Sequence, residues 1–334
     1  MSKKISICVT YYNQKDYVKP SLDSVLSIDF PCDFEILCGD DGSTDGTLDI
    51  VKEYQQNYPD KIKYFVIDRT NSPKYVNRVS LNRLNLAKNA TGDYIMFLDG
   101  DDFYCDTSFV KEAFNILETD HKLEACCFNY KYLYPDNSEK IIIQNRQTGY
   151  INVKDYIGNS IYIHAEAFVF RNILSKKDFE KLYKINHFDD NGITIYMLNF
   201  GSMYYVNRPV YVYRQTNTGI WTGVNEFEQH AVNGYAYKLL CKLAPKYKKQ
   251  LAKRSYYPIK YLYRNKENIK NLLGENYNKY LTIAKNNKDR FIENILSWNS
   301  LNIFRRIKTI VLWKNFRKIA ENKHDKIFRF RKNK

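Results

Sequence analysis

The chain has 334 residues, enough for about two domains, and its hydrophobic content of 44% is ordinary for a globular protein. Its net charge of +15 is uneven: residues 251–334 hold 22 Lys+Arg against 6 Asp+Glu, and residues 1–250 hold 30 against 31, so an anionic surface is met by the tail and not by the whole protein. Seven cysteines, odd in number and without C-x-x-C spacing, exclude a disulfide framework or zinc knuckle and fit a reducing cytosol.

Met1-Ser2-Lys3-Lys4-Ile5 enters a strand at once, and no signal-peptide core is expected. Ile5 to Thr10 reads as a first strand, followed by the polar loop Tyr11-Tyr12-Asn13. Asn13 is expected to cap a helix whose apolar positions Val18, Leu22, Val25 and Leu26 recur at three- and four-residue spacing. Phe34 to Cys38 is a second strand, running into Gly39-Asp40-Asp41-Gly42-Ser43-Thr44-Asp45-Gly46-Thr47. A helix carrying Leu48, Val51 and Tyr54 begins near Asp45. Ile62 to Ile67 is a third strand and Ser80 to Ala90 a helix, with Gly92 as its expected C-cap. Tyr94 to Leu98 is apolar without alternation, as a strand buried on both faces of a parallel sheet should be, and it ends in Asp99, Asp101 and Asp102. Strands alternating with helices across short turns predict an α/β fold with a doubly wound parallel sheet.

Further on, Asp106 to Thr119 reads as a helix and Ala125 to Leu133 as a strand. Ile161 to Phe170 is another strand candidate, holding His164 and Glu166, where a hydrogen-bonded structural histidine is preferred to a catalytic one. His187-Phe188-Asp189-Asp190-Asn191-Gly192-Ile193 precedes a helix-like run through Leu198. Val210 to Arg214 is a strand leading into the polar loop Gln215 to Trp221. Residues 226–334 read as helical, and no segment reaches the roughly 18 apolar residues of a membrane span. Between Asn302 and Ile319, Ile303, Phe304, Ile307, Ile310, Val311 and Leu312 lie amid six arginines and lysines. This pattern fits an interfacial helix on anionic lipid, or a core-packing helix with a solvated basic face. No motif for reading nucleic acid accompanies the charge.

Two carboxylates about 5 Å apart repel by roughly 3 kcal/mol at an effective dielectric near 20. Three in four residues at the carboxyl end of a buried strand therefore point to a cation or a catalytic use, and ligands of open α/β sheets sit at that edge. Solvated loop acids are the bland alternative. The acidic loops at Asp40-Asp41 and Asp99 to Asp102 would open on the same edge. Together they suit a nucleotide sugar, whose diphosphate calls for Mg²⁺ or Mn²⁺. The G-x-G-x-x-G and G-x-x-x-x-G-K-[ST] phosphate loops are absent.

Thr10-Tyr11-Tyr12-Asn13, Asp40 to Thr47 and Leu98-Asp99-Gly100-Asp101-Asp102, in this order and spacing, closely resemble the inverting GT-A glycosyltransferases of family 2. The resemblance is strong over about residues 3–105, weaker to about 225 and absent beyond. It implies a Rossmann-like mixed sheet with a C-terminal helical extension: residues 1–105 as the nucleotide-sugar half, 106–225 as the acceptor half and 226–334 as the basic extension. Carried over by position, it implies donor contacts at Thr10, Tyr12 and Asn13, and at Asp41, which would accept the base N–H. Asp99 and Asp101 match the D-x-D pair, Asp99 near ribose and Asp101 on the metal. Arg78 and Arg83 are both candidates for a basic residue near the diphosphate. The usual Ala-Arg-Asn-x-Gly reads Asn82-Arg83-Leu84-Asn85-Leu86 here, which leaves the choice between them open. The family's Glu-Asp pair falls on Asp189 and Asp190, implying Asp190 as general base and Asp189 as orienting or capping group. Arg214 is implied at the diphosphate and Trp221 on an acceptor sugar.

The expectation is a cytoplasmic enzyme, peripheral on the inner face of the plasma membrane. It would move a hexose or N-acetylhexosamine from a UDP-sugar to a hydroxyl of a surface glycan or lipid-linked oligosaccharide, with GDP and dTDP donors as further possibilities. An inactive glycan- or membrane-binding module and a sugar-nucleotide pyrophosphorylase are the competing readings.

Overall fold

A computed structural model describes residues 2–69, 77–144, 146–157, 161–216, 225–286 and 288–320. The described residues up to Thr216 form one compact unit and those from Asn225 another.

The first unit is built on one sheet. Its strands are β1 (Lys4–Tyr11), β2 (Asp33–Asp40), β3 (Ile62–Val66), β4 (Tyr94–Asp99), β5 (Phe103–Tyr104), β6 (Leu123–Leu133), β7 (Glu139–Ile141), β8 (Gly149–Ile151), β9 (Phe168–Arg171) and β10 (Ser202–Arg214). Their order is β3-β2-β1-β4-β9-β6-β10-β5, with β7 beside β6 and β8 beside β10. β3, β2, β1 and β4 are parallel, as are β6 and β10, whereas β9 runs antiparallel between β4 and β6. The sheet is therefore mixed.

Every residue of β4 before Asp99 is buried, in keeping with its unbroken apolar run. Ile95, Met96, Phe97 and Leu98 each contribute roughly 1.5–3 kcal/mol of burial. Helices α1 (Lys15–Leu26), α2 (Thr47–Asn57), α3 (Arg78–Asn89), α4 (Phe109–Thr119), α5 (Val153–Ile157), α6 (Lys176–Ile185) and α7 (Asp190–Phe200) complete the unit. α1 buries Val18, Leu22 and Val25, the stripe its spacing predicts.

Two expected caps are corrected. Asn13 does not cap α1: it adopts a left-handed φ of 49°, and its side chain accepts from Thr44 N at 2.9 Å while its own N–H donates to Ser43 Oγ at 2.9 Å. The helix starts after Gln14, and Asn13 ties the first acidic loop to the end of β1. Gly92 is not a left-handed C-cap of α3, which ends in extended backbone at Ala90. Gly92 is needed because a Cβ there would lie 2.7 Å from Ser6 N. The strand expected from Ile161 begins only at Phe168, after a 3-10 turn over Ala165–Ala167.

The second unit holds α8 (Glu226–Leu243), α9 (Lys248–Arg264), α10 (Ile269–Leu273), α11 (Tyr277–Asn286), α12 (Arg290–Leu296) and α13 (Ile303–Ala320). Its core includes Phe227, Ile259, Leu262, Tyr280, Ile292 and Ile295. Glu228 is buried there and accepts from Tyr280 Oη at 2.6 Å. No helix among the described residues is long and apolar enough to cross a membrane.

Candidate active site

β1 pairs Thr10 with Gly39 of β2 on one side and with Asp99 of β4 on the other. The two acidic loops thus leave the same sheet edge, about 10 Å apart across β1. Thr10 Oγ1 donates to Asp99 Oδ1 at 2.8 Å and fixes that carboxylate. Gly100 sits so close to Tyr11 that a Cβ would lie 2.1 Å from the ring, which explains the glycine between the two acids.

The acids of the second loop divide by environment. Asp102 is buried; its Oδ1 accepts from the Arg214 backbone N–H at 2.8 Å, fastening the end of β10 to the loop. Burial, reinforced by Asp101, raises its pKa well above the usual carboxylate range. Asp101 is pushed up to about 6 by burial and then by Asp99, against the pull of Arg214 and Gln14. Arg214 itself donates from Nε to the Asp101 carbonyl at 2.8 Å.

Asp101 and Asp99 offer hard oxygens whose mutual repulsion a divalent cation would relieve, so the residues fit Mg²⁺ or Mn²⁺. Among the described residues, no group of three or more His, Cys, Asp or Glu side chains is placed to hold a metal. A divalent cation such as Mg²⁺ is commonly held by one or two carboxylates together with substrate phosphates, and Asp101 and Asp99 are the protein groups present for that role.

The two arginines left open by sequence go to different places. Arg78 pairs with Asp41, donating from Nε at 2.8 Å. Arg69 Nη2 reaches the other Asp41 oxygen at 2.8 Å, and its guanidinium lies 3.5 Å from the Tyr12 ring centroid. Arg83 is buried at the centre: Nη2 donates to Asp99 Oδ1 at 2.8 Å and to Glu166 Oε1 at 2.6 Å, and Nη1 lies 3.9 Å from Asp190 Oδ1. Burial works against its charge, but the three carboxylates outweigh it and raise its pKa.

Asp189 and Asp190 also separate. Asp189 is the N-cap of α7, its Oδ1 accepting from Gly192 N at 2.9 Å. Asp190 turns inward: Oδ1 accepts from Ala165 N at 2.9 Å and Oδ2 from Tyr162 Oη at 3.0 Å. Each oxygen keeps a further lone pair for an incoming hydroxyl. His164 is structural in its contacts, hydrogen-bonded to Tyr211 Oη and stacked on Tyr130, and burial lowers its pKa. Trp221 lies outside the described residues.

A family model described as glycosyl transferase family 2 matches residues 6–177, just over half of the chain. The chain belongs to glycosyl transferase family 2. Among its relatives, the poly(ribitol-phosphate) beta-glucosyltransferase of Bacillus spizizenii is 38% identical over 101 residues, 30% of this chain and 15% of the relative. TarS of Staphylococcus aureus, a poly(ribitol-phosphate) beta-N-acetylglucosaminyltransferase, is 34% identical over 121 residues, 35% of this chain and 19% of TarS. The chain thus spans less than a fifth of the length of either relative. The crystal structure of S. aureus TarS 1-349 in complex with UDP-GlcNAc matches with a TM-score of 0.56 at 17% identity, covering 96% of this chain and 91% of that one. That likeness is one of fold, and it bears out the expected GT-A architecture of this family 2 chain with its C-terminal helices.

Arg69 and Tyr162 carried no sequence signal beyond residue type. Glu166 was legible only as the acid beside His164, because its pairing with Arg83 spans 83 residues of sequence.

Proposed function

We propose that the chain transfers a hexose or N-acetylhexosamine from a UDP-sugar to a hydroxyl of a bacterial surface glycan or lipid-linked oligosaccharide, with inversion at the anomeric carbon. The observation that carries this reading is Arg83, one guanidinium that faces both Asp99 of the D-x-D pair and Asp190. It puts a donor-side carboxylate and a candidate base within reach of a single substrate. The family 2 membership and the TarS structure with UDP-GlcNAc support the same donor class.

In this reading Asp190 takes the proton of the acceptor hydroxyl as its oxygen bonds to the anomeric carbon, and the bond from that carbon to the diphosphate breaks. Ala165 N–H and Tyr162 Oη hold Asp190 in place, while Asp189 serves as the helix cap. Thr10, Tyr12, Asn13 and Asp41 surround the nucleoside, and Arg78 and Arg214 flank the donor. Mg²⁺ or Mn²⁺, held by Asp101 and Asp99, would when bound offset the charge of the leaving UDP. Trp221 is assigned to the acceptor. The basic C-terminal unit places the protein on the inner face of the plasma membrane, near a lipid-linked substrate.

Calorimetry with UDP and UDP-sugars, with and without Mn²⁺, tests the donor; a chain that binds none of them under either condition is not this enzyme. Asp190→Asn should lower transfer by about 10²–10⁴-fold with UDP binding intact, and a fully active variant would refute the base.

A further inference from the structure

The carboxyl ends of the parallel pair β6 and β10 set tyrosines opposite each other: Tyr211 faces Tyr130, and one step outward Tyr213 faces Tyr132. The inner pair is buried. The outer pair is half-buried, with ring centroids 5.6 Å apart. Tyr134 continues the row 6.0 Å beyond Tyr132. On the other side His164 meets Tyr213 edge-on at 5.1 Å and Tyr162 edge-on at 5.2 Å. Tyr162 is 38% exposed and donates its hydroxyl to Asp190. An unbroken aromatic row therefore leads from the candidate base to the surface, at the sheet edge where ligands of such folds sit.

We infer that Tyr162, Tyr213, Tyr132 and Tyr134 form the acceptor platform, and that it takes the pyranose ring of a glycan in preference to a polyol phosphate. This rests on the proposed function, with Asp190 as base. A pyranose presents a flat face of C–H groups that suits the negative face of an aromatic ring, and its rim hydroxyls meet phenol groups at the ring edges. Tyrosine supplies such contact rigidly, losing only two side-chain torsions. A polyol phosphate has no flat face and brings a negative charge with each unit, which calls for cations. Along the row, the Lys131 cation is compensated by Glu139 Oε2 at 2.6 Å, and Lys140, the register partner of Tyr132, is the cation a phosphate would have to use, which is why ribitol 5-phosphate is among the probes.

Saturation-transfer NMR on the full chain with UDP and Mn²⁺ tests this, using methyl pyranosides, short gluco- and galacto-oligosaccharides and ribitol 5-phosphate as probes. Pyranosides should take up saturation. That signal should fall about fivefold in Tyr132→Ala/Tyr213→Ala and persist in Tyr132→Trp, with UDP affinity unchanged. Tyr134→Ala, at the outer end, gives a smaller loss of the same kind should the double variant fold poorly. Saturation of ribitol 5-phosphate alone, or a pyranoside signal indifferent to Tyr134→Ala and to the double variant, overturns the platform. UDP binding without any pyranoside signal also overturns it and leaves the donor reading standing, whereas failure of the wild-type chain to bind UDP defeats the donor reading itself.

Discussion

Arg83 is buried, yet its guanidinium faces Asp99, Glu166 and Asp190 together. Removing a buried partner leaves uncompensated charge, which typically costs 3–5 kcal/mol. Arg83→Met should therefore destabilise the first unit by about 3 kcal/mol. Glu166→Gln added to it should recover part of that loss, because one of the stranded carboxylates is gone. Equal denaturant midpoints for the single and double variants would show that Glu166 is not coupled to Arg83. Arg69 poses a different question. It rests on the Tyr12 ring and on Asp41, two of the four groups proposed around the nucleoside. A uracil that uses both must displace it, so Arg69→Ala should tighten UDP binding by about 1 kcal/mol; weaker binding in calorimetry would instead place Arg69 on the ligand.

Among elements, β2 depends on an acid that stands apart from the site. Glu35 is buried and accepts from Ser6 Oγ, Thr91 N and Thr91 Oγ1 at 2.7–2.8 Å, with Lys63 and Lys4 at 3.2 and 3.3 Å. Burial alone would raise its pKa, but these donors outweigh it and hold the group at about 2 against an ordinary 4.5. A carboxyl whose folded pKa is depressed stabilises the fold fully above its unfolded pKa and loses that contribution as pH falls toward the folded value. The thermal midpoint should therefore drop between pH 4.5 and 2, and Glu35→Gln should lower it at pH 7 and flatten the acid limb. In the second unit, α13 packs inward through Trp313, which stacks on Tyr263 at 4.7 Å, and through Phe316. Ile303, Phe304, Ile307 and Val311 stay exposed on the opposite side, among Arg305, Lys308, Lys314 and Lys318. The core-packing reading thus holds for the Trp313 and Phe316 stripe, and the outward apolar strip is the surface on which the proposed membrane role depends. Phe304→Asp/Ile307→Asp should reduce flotation with vesicles rich in phosphatidylglycerol while leaving the folded core intact. Unchanged flotation would remove the membrane role.

At the scale of the molecule, the proposed donor site, in which Asp101 and Asp99 share a cation with the diphosphate, predicts that metal and nucleotide bind together. Thermal shift with Mn²⁺ alone should be small, with UDP alone modest, and with both clearly larger than their sum. At 100 times the dissociation constant the linked stabilisation is about 2.7 kcal/mol. Additive shifts would mean that the cation does not bridge Asp101 to the diphosphate.

The order of strands and helices up to β4 was legible because each carries its own periodicity and turn residues, and the first-half motifs were legible because they sit where those strands end. Asp41, Asp99 and Asp101 stood out as candidates for that reason, and Asp189-Asp190 as paired acids at a helix start. The family resemblance implied separate roles for some of them, but the contacts that set neighbouring charges apart could not be read. Asp102 differs from Asp101 through the Arg214 N–H that meets it, Asp189 from Asp190 through the Gly192 N–H, and Arg78 from Arg83 because one meets Asp41, 37 residues away, and the other Glu166, 83 residues away. Asn13 and Gly92 were misread as helix caps for a related reason, since each answers to a neighbouring loop or strand and not to its own helix. Local pattern determines where a side chain sits along an element. Which charge or hydrogen bond it meets there is decided only when strands distant in sequence lie side by side.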